Sequence, residues 1–334
     1  MSGPSAAPVI DVHAHAVLEV SQGAAGAAGP ELGADADGRP WYRVGDYVLH
    51  GVRYRDSPFT DVELRIEAMD RAGIDVQLLS PNPLTYFGRL DGASAAAFAR
   101  THNDALAETV RSHPRRLLGA AQLPVQDVDA SIAELQRAVR ELGMVAAYID
   151  TDPGCTLDDP ALDRLYSALV DLDVPLFVHP SPLGAQGPPD DERLRRFDLD
   201  LLLGFAYDET LAVAALVFGG VLERHPRLDV CVSHGGGAAA FLAGRFERAV
   251  TRRPWASEQL REHGFAHFYR RLWFDTHVHG EDALRLLTTA AGTDRLVFGT
   301  NFAGWDAGEP DRSAELSDVL SRNAQRLLRL DGHR

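Results

Sequence analysis

The residues of this sequence best suited to metal binding or catalysis are histidines that lie in, or at the ends of, apolar segments. His13 and His15 alternate within an apolar segment, so in a strand both side chains would point to one face. His179 ends a second apolar segment and His234 a third. A lone core histidine is more often structural, but buried imidazoles gathered together are costly unless hydrogen-bonded or metallated, and zinc accepts imidazole nitrogen. The sequence therefore predicts a metal site where these segments end.

Acidic and amide side chains occupy corresponding positions further along the chain. Asp275 and His277 lie in a fourth apolar segment, and Asn301 ends the last one, LVFGTN. An asparagine oxygen can bind a metal, but the amide has no titratable proton and cannot shuttle one. We therefore expect acid-base chemistry to depend on Asp306, in the loop after Asn301, or on Asp275.

The segments that carry these residues alternate with longer amphipathic stretches, which is typical of a parallel sheet covered by helices. Eight such strands close a (β/α)8 TIM barrel, with active-site residues at the carboxyl ends of the strands. The eight predicted strands are residues 9–15, 76–81, 117–124, 144–150, 175–180, 228–236, 272–278 and 296–302.

We predict one barrel domain over residues 9–330 with two insertions. Residues 17–60 combine an Ala/Gly-rich stretch, read as a flexible loop, with a small β-hairpin, and residues 181–207 are read as a long loop. Each insertion follows a strand, so both should lie over the C-terminal face as lids or substrate walls.

Charge and composition exclude several classes of protein. The formal charge of -15 over 334 residues disfavours nucleic-acid and membrane partners. Two distant cysteines, Cys155 and Cys231, fit a reduced protein, and Cys231 reads as a small core hydrophobe. The sequence has no uninterrupted apolar run of membrane-spanning length, and MSGPSAAPVIDV lacks the pattern of a secretory leader. A cytoplasmic location is expected.

The glycines after His234 have two interpretations. Ser233 with Gly235–Gly237 could form an anion-binding nest at the start of a helix. Alternatively, the glycines permit close packing of the backbone beneath His234. The sequence does not choose between the two.

Several motifs together resemble a known family. IDVHAH, LFVHP, CVSHGGGAAAFLAGR, NDALAE, HPRRLLGAAQLP and LVFGTN occur in the order found in the amidohydrolase-related family that contains aminocarboxymuconate-semialdehyde decarboxylase and the nonoxidative hydroxybenzoate decarboxylases. The resemblance implies a barrel with a divalent metal, commonly zinc and in some members manganese, that releases carbon dioxide from a small carboxylic acid. A homodimer is implied as well.

The resemblance also assigns roles to individual positions. His13, His15 and His179 match the family's metal ligands, and His234 matches the histidine beside the metal. Arg245 matches an arginine that reaches the substrate carboxylate across a dimer interface.

Three further positions are assigned less directly. Arg53 falls near a second carboxylate-binding arginine, and we take His277 as a candidate substrate contact. The family's last strand normally ends in an aspartate that binds the metal and transfers protons, where this chain has Asn301 as a candidate ligand.

Three functions are consistent with this pattern. The first is metal-dependent, nonoxidative decarboxylation of a small aromatic or unsaturated acid, with His234 and Asp275 or Asp306 delivering the proton. The second is a hydrolase or hydratase that uses the same metal centre. The third is a barrel that binds a small ligand without catalysis, which the absence of an acid at position 301 favours.

Overall fold

The eight predicted strands form a parallel barrel. The computed structural model describes residues 7–182, 191–304, 306–307 and 314–330. Within these residues an eight-stranded sheet has the order β1-β5-β6-β7-β8-β9-β10-β11, and its neighbouring strands pair in parallel. Its strands are Ile10–Ala16, Val76–Pro81, Leu117–Gln122, Ala146–Asp150, Leu176–His179, Val230–Val232, Trp273–Asp275 and Leu296–Val297.

Helices follow the strands of the barrel, as a (β/α)8 fold requires. Helix α1 begins where Asp61 accepts hydrogen bonds from the backbone of Glu63 and Leu64, and it ends at Gly73 in the left-handed conformation. The described helices α1 to α12 are Val62–Ala72, Gly92–Ser112, Val128–Arg140, Asp163–Leu172, Leu199–Leu202, Gly204–Phe218, Val221–Arg224, Ala239–Arg252, Glu258–His263, Phe265–Tyr269, Glu281–Ala291 and Ala314–Leu327.

The first and last strands close the barrel partly through a buried carboxylate. The backbone N–H of Val12 donates to the carbonyl of Phe298 at 2.9 Å. Asp11, fully buried, accepts from the backbone and the hydroxyl of Thr300 at 3.1 and 2.7 Å, and from Gln77 on β5 at 3.0 Å. Asp11 therefore links β1 to β5 and to the segment after β11. Its burial raises its pKa to about 6 against the opposing effect of these hydrogen bonds.

The first insertion is more ordered than the sequence predicts. Glu31–Ala34, Pro40–Val44 and Tyr47–His50 form a three-stranded antiparallel sheet, β2-β3-β4. The predicted hairpin is therefore present, but the Ala/Gly-rich stretch is wrongly read as a flexible loop because its end pairs with β3. Trp41 packs so closely on Gly33 that a Cβ there would lie 2.1 Å from the indole ring.

The second insertion is helical where it is described. Residues 183–190 lie outside the described residues, and the rest contains the short 3₁₀ helix Glu192–Arg195, then α5 and the start of α6. The prediction of a long loop over 191–207 is therefore wrong. By length and composition alone, Leu199–Phe218 would be sufficient to cross a membrane. Helices of soluble proteins pass the same test, and about a third of this segment is buried, including Val213 and Leu216.

Candidate metal centre and active site

Three histidine side chains from two strands converge on one point. The Nε2 atom of His13 lies 3.2 Å from that of His15 and 3.1 Å from that of His179, and the last two are 3.2 Å apart. All three side chains are buried. Nitrogen ligands at 2.0–2.1 Å around a tetrahedral zinc ion would be about 3.3 Å apart, so the observed triangle has the size of a metal site. The predicted ligands are thus brought together.

The second nitrogen of each ring fixes its orientation. Nδ1 of His15 lies 2.9 Å from the carbonyl oxygen of Pro81, and Nδ1 of His179 lies 2.6 Å from that of Pro180. Because a carbonyl can only accept, both rings donate from Nδ1 and leave the Nε2 lone pair for a ligand. Nδ1 of His13 donates to Asp275 Oδ2 at 2.8 Å. Outer partners of this kind orient metal-binding histidines.

The electrostatics of the three rings also suit a cation. Burial lowers the pKa of His15 to about 3, and it lowers the pKa values of His13 and His179 well below the ordinary value, with neighbouring histidines adding to the effect. The rings are therefore neutral, and their lone pairs face one another. Charge repulsion between these lone pairs is relieved when a cation binds between them.

His234 lies beside this triangle and is held by a carboxylate that sequence reasoning missed. Its ring centroid is 4.9 Å from those of His13 and His179. Nδ1 of His234 donates to Oε1 of Glu209 at 2.6 Å, and the hydroxyl of Ser233 donates to the same oxygen at 2.7 Å. Burial alone would lower the pKa of His234, but the charge and hydrogen bond of Glu209 raise it to about 9. The free nitrogen, Nε2, is the one available to substrate.

Glu209 lies in α6 and is fully buried, and its other oxygen, Oε2, has no hydrogen-bond partner. Burial raises the pKa of this carboxyl although His234 and Ser233 oppose the shift. The signal in the sequence was the pair of acidic residues, Asp208 and Glu209, that directly precedes the apolar stretch TLAVAALVF. A buried acid in such a helix requires a partner, which is His234 here.

The glycines after His234 serve close packing. A Cβ on Gly236 would lie 2.6 Å from the ring of Phe274, and one on Gly237 would lie 2.2 Å from the carbonyl oxygen of Ala206 on α6. Both glycines also have positive φ angles, as does His234 itself. Among the two interpretations of SHGGG, the structure supports the packing role, which brings α6 and its Glu209 against His234.

Asp275, which the sequence predicts as a catalytic residue, is engaged by His13 and His277. Only 3% of the residue is exposed, and its two oxygens accept from His13 Nδ1 and from the backbone N–H of His277. Both interactions hold other residues in place, so Asp275 orients a metal ligand instead of facing substrate. The physical reason is that β10 ends at Asp275, directly beside His13 across the barrel.

Asp306 lies next to Asn301 in a polar cluster with His277. The side-chain amide of Asn301 donates to Asp306 Oδ1 at 2.7 Å, and His277 Nε2 lies 3.2 Å from Asp306 Oδ2. Burial alone would raise the pKa of Asp306, but the hydrogen bonds from His277 and Asn301 outweigh it and hold that pKa well below its ordinary value. With its nitrogen committed to Asp306, Asn301 can offer a metal only its amide oxygen.

The two predicted substrate-binding arginines lie elsewhere in this chain. Arg53 is 70% exposed, contacts Asp56 at 3.6 Å and faces a groove on the side of the β2-β3-β4 sheet. It is absent from the residues that line the pocket over His15 and His179, so the structure does not bring Arg53 to this site, and its role as a substrate contact stays a prediction. Arg245 is exposed on α8, and a role across a dimer interface stays a prediction.

Comparison with known proteins agrees with this geometry. The model of the amidohydrolase family matches residues 10–330. The chain belongs to this family. It is 32% identical over 248 residues to 2-amino-3-carboxymuconate-6-semialdehyde decarboxylase of Dictyostelium discoideum, covering 74% of this chain and 68% of that one. It is 28% identical over 294 residues to gamma-resorcylate decarboxylase of a Rhizobium species, covering 81% and 88%.

Solved structures give the same fold. A 2,6-dihydroxybenzoate decarboxylase in complex with 2,6-dihydroxybenzoate matches with a TM-score of 0.69 and 26% identity, over 82% of this chain and 90% of that one. A dihydroxybenzoic acid decarboxylase of Polaromonas, with bound manganese and 2-nitroresorcinol, matches with a TM-score of 0.73 and 22% identity, over 97% and 98%. The family resemblance and the barrel predicted from the sequence are confirmed.

The geometry predicts which acidic residue near the site controls metal affinity. Asp275→Asn keeps the size of the side chain but removes the charge that orients His13, so divalent metal should bind about 10- to 100-fold more weakly. Asn301→Ala removes a neutral amide and should change affinity less, whereas His13→Ala should abolish binding. Chelator-competition titrations measure all three.

Asp282→Asn, an exposed carboxylate on α11, serves as the control and should bind metal as the unmodified protein does. Thermal unfolding of each metal-free variant shows whether the fold is kept. Unchanged affinity in Asp275→Asn, together with loss of metal in Asn301→Ala, would contradict the orienting role.

Proposed function

We propose that this protein is a metal-dependent, nonoxidative decarboxylase of a small aromatic or unsaturated carboxylic acid. The observation that carries the proposal is the buried triangle of His13, His15 and His179 with the Glu209-held His234 beside it. Two relatives of the chain are named decarboxylases, and the family match spans nearly all of the barrel.

The three histidines would hold a divalent cation, and their chemistry favours zinc. Three neutral imidazoles suit zinc, while manganese usually takes more oxygen ligands, so manganese is the second choice. When bound, such a cation supplies Lewis-acid stabilisation of the negative charge that develops as the carbon–carbon bond breaks. Leu49, Leu84 and Phe205 line the pocket above it and shield the reacting group from water.

His234 is positioned to supply the proton that decarboxylation consumes. The bond to the carboxyl carbon breaks, its electron pair stays on the substrate carbon, and that carbon takes one proton as carbon dioxide leaves. Nδ1 of His234 is committed to Glu209, so Nε2 carries the transferable proton. His234 lines the same cavity as His277, Asn301 and Asp306. Solvent returns the proton to His234 after each turnover.

Asp306 takes over the negative charge that position 301 lacks. Its carboxylate is ionised, it lies one hydrogen bond from Asn301, and it orients His277, whose ring centroid is 5.4 Å from that of His13 and 5.3 Å from that of His234. An ionised carboxylate here offsets positive charge at the centre, and its charge adds to the effect of Glu209 in raising the pKa of His234. Asp306 thus acts through His277 instead of donating a proton itself.

The function is tested by metal-loaded enzyme and a panel of hydroxy- and aminobenzoates. We expect carbon dioxide release from at least one acid, lost on chelation and restored by zinc or manganese; elemental analysis of the purified protein identifies the metal. His234→Asn should reduce turnover at least about 100-fold, as expected for loss of an acid catalyst. No carbon dioxide from any acid, with hydrolysis of an ester or hydration of an unsaturated acid instead, would favour the hydrolase or hydratase alternative.

Exchanging the residues at positions 301 and 306 tests where the charge is needed. Asp306→Asn should lower turnover about 10- to 100-fold, because His277 loses its anionic partner. Asn301→Asp combined with Asp306→Asn puts an acid back beside the centre and should recover part of the loss. Exchange of deuterium from solvent into the reaction product reports on proton transfer separately from binding.

Asp282→Asn again serves as the matched control, since it removes an exposed carboxylate distant from the centre. Full activity in Asp306→Asn, or a double variant slower than Asp306→Asn alone, would remove Asp306 from the mechanism.

We also propose that two copies of this chain associate through α5, α6 and α8. Large apolar side chains are at least half exposed there, among them Leu202, Tyr207, Leu211 and Phe241. An apolar face of this kind on a monomer marks an interaction surface. Arg245 lies one helical turn after Phe241, so a second copy on this face would approach it.

Sedimentation velocity tests the association. The unmodified chain should sediment as a dimer, and Phe241→Asp should shift it toward the monomer, because a charge is buried without a partner. Leu286→Asp, at an exposed apolar position on α11, is the control and should remain dimeric. A monomeric unmodified chain would contradict the proposal.

A further inference from the structure

The pocket over the metal centre has an unusually apolar wall. It opens above His15 and His179, and one part of its lining comes from Tyr47 and Leu49 on β4 and from Tyr54 in the segment after β4. Leu84, Leu201 and Phe205 also line it. The rest of a ligand that reaches the histidines must therefore contact aliphatic and aromatic side chains.

The polar groups of this wall are uncharged. Burial raises the pKa of Tyr54 to about 12, with the Asn82 amide opposing the shift, and burial together with the charge of Asp200 raises the pKa of Tyr47 further. Both phenols are therefore neutral at pH 7. Asn82 and Asn301 complete the polar lining with amides. These groups can hydrogen-bond a hydroxyl or carbonyl, but they do not neutralise an anion.

Fixed cations are absent from the pocket as far as the structure describes its lining. The chain contains no lysine, so a permanent cation on this wall, away from His234, could come only from arginine. Arg53 lines a separate groove beside the β2-β3-β4 sheet. Arg65 is buried nearby, but its guanidinium donates to Gln77 Oε1 and to the carbonyl of His15, at 3.0 and 2.6 Å, and it does not line the pocket.

We infer that the pocket selects an aromatic monocarboxylate, with its one carboxylate end at the three-histidine centre and only uncharged substituents on the rest of the ring. The inference rests on the proposed function and specifies its substrate class. A second carboxylate against this wall would lose its hydration without gaining an ionic partner, which strongly disfavours binding. The protein would then act on acids like resorcylate and exclude diacids.

A pair of ligands matched in size tests the inference. Calorimetry with metal-loaded protein compares 2-hydroxy-5-methylbenzoate with 2-hydroxy-5-carboxybenzoate, which differ by one remote carboxylate. We expect the methyl compound to bind at least about 100-fold more tightly, as befits a buried, unpaired charge. Equal affinity for the two compounds would overturn the inference. A diacid affinity that disappears in Arg245→Ala would overturn it too, since a second copy would then supply the missing cation.

Adding a cation to the wall tests the cause of the selectivity. Leu49→Arg places a guanidinium in the pocket and should reduce the preference for the methyl compound at least about tenfold, because the second carboxylate gains a partner. Val48→Arg is the matched control: Val48 precedes Leu49 on β4, points away from the pocket and is 38% exposed. It should leave the preference unchanged. An equal effect of both variants would contradict the assignment of this wall.

Two further measurements keep the test decisive. If Leu49→Arg does not fold, Val52→Arg places a cation at another position of the same wall. Binding is measured without turnover, so a protein that prefers the monoacid but releases no carbon dioxide would contradict the proposed decarboxylation and leave the pocket's selectivity standing. Carbon dioxide release with a preference for diacids would contradict the pocket's selectivity and support the proposed decarboxylation.

Discussion

The arrangement of three imidazole nitrogens around one point is the constraint on which the rest of the site depends. Neutral rings at this spacing repel through their lone pairs unless a cation lies between them. They stay in place because each Nδ1 has its own acceptor, a carbonyl for His15 and His179 and the Asp275 carboxylate for His13. Orientation therefore comes from outside the triangle, and β5, the loop after β8 and the end of β10 each contribute to it.

The contacts that close the barrel also help to hold the histidines in place. Asp11 precedes His13 on the same strand and accepts from its backbone N–H, while its other contacts reach Thr300 on the final segment. The carboxylate thereby fixes the first strand against the segment that ends in Asn301. One buried acid thus sets both the position of two histidines and the start of the loop that carries Asp306.

The sequence predicted the strands and the histidines at their ends better than the side-chain contacts around them. Strand alternation was sufficient to place His13 and His15 on one face, and the ends of parallel strands placed His179 and His234 with them. Pattern could not show that Asp275 faces His13 or that Arg53 turns outward, since both depend on the packing of an insertion or on neighbours across the barrel. Glu209 was missed for a related reason: its helix lay next to a segment read as a loop, so its burial was not foreseen.

Position 301 holds an amide where the family resemblance implies an acid. Removing a charge about 4 Å from a divalent ion would forfeit on the order of 4 kcal/mol per unit charge at an effective dielectric near 20. Here the amide that replaces it donates to Asp306, so the missing charge reappears one hydrogen bond further out. The Asp306 carboxylate that carries this charge also contacts the ring of His277. The change therefore relocates the negative charge from the inner ligands to a carboxylate-imidazole pair, and it leaves the three-histidine triangle intact.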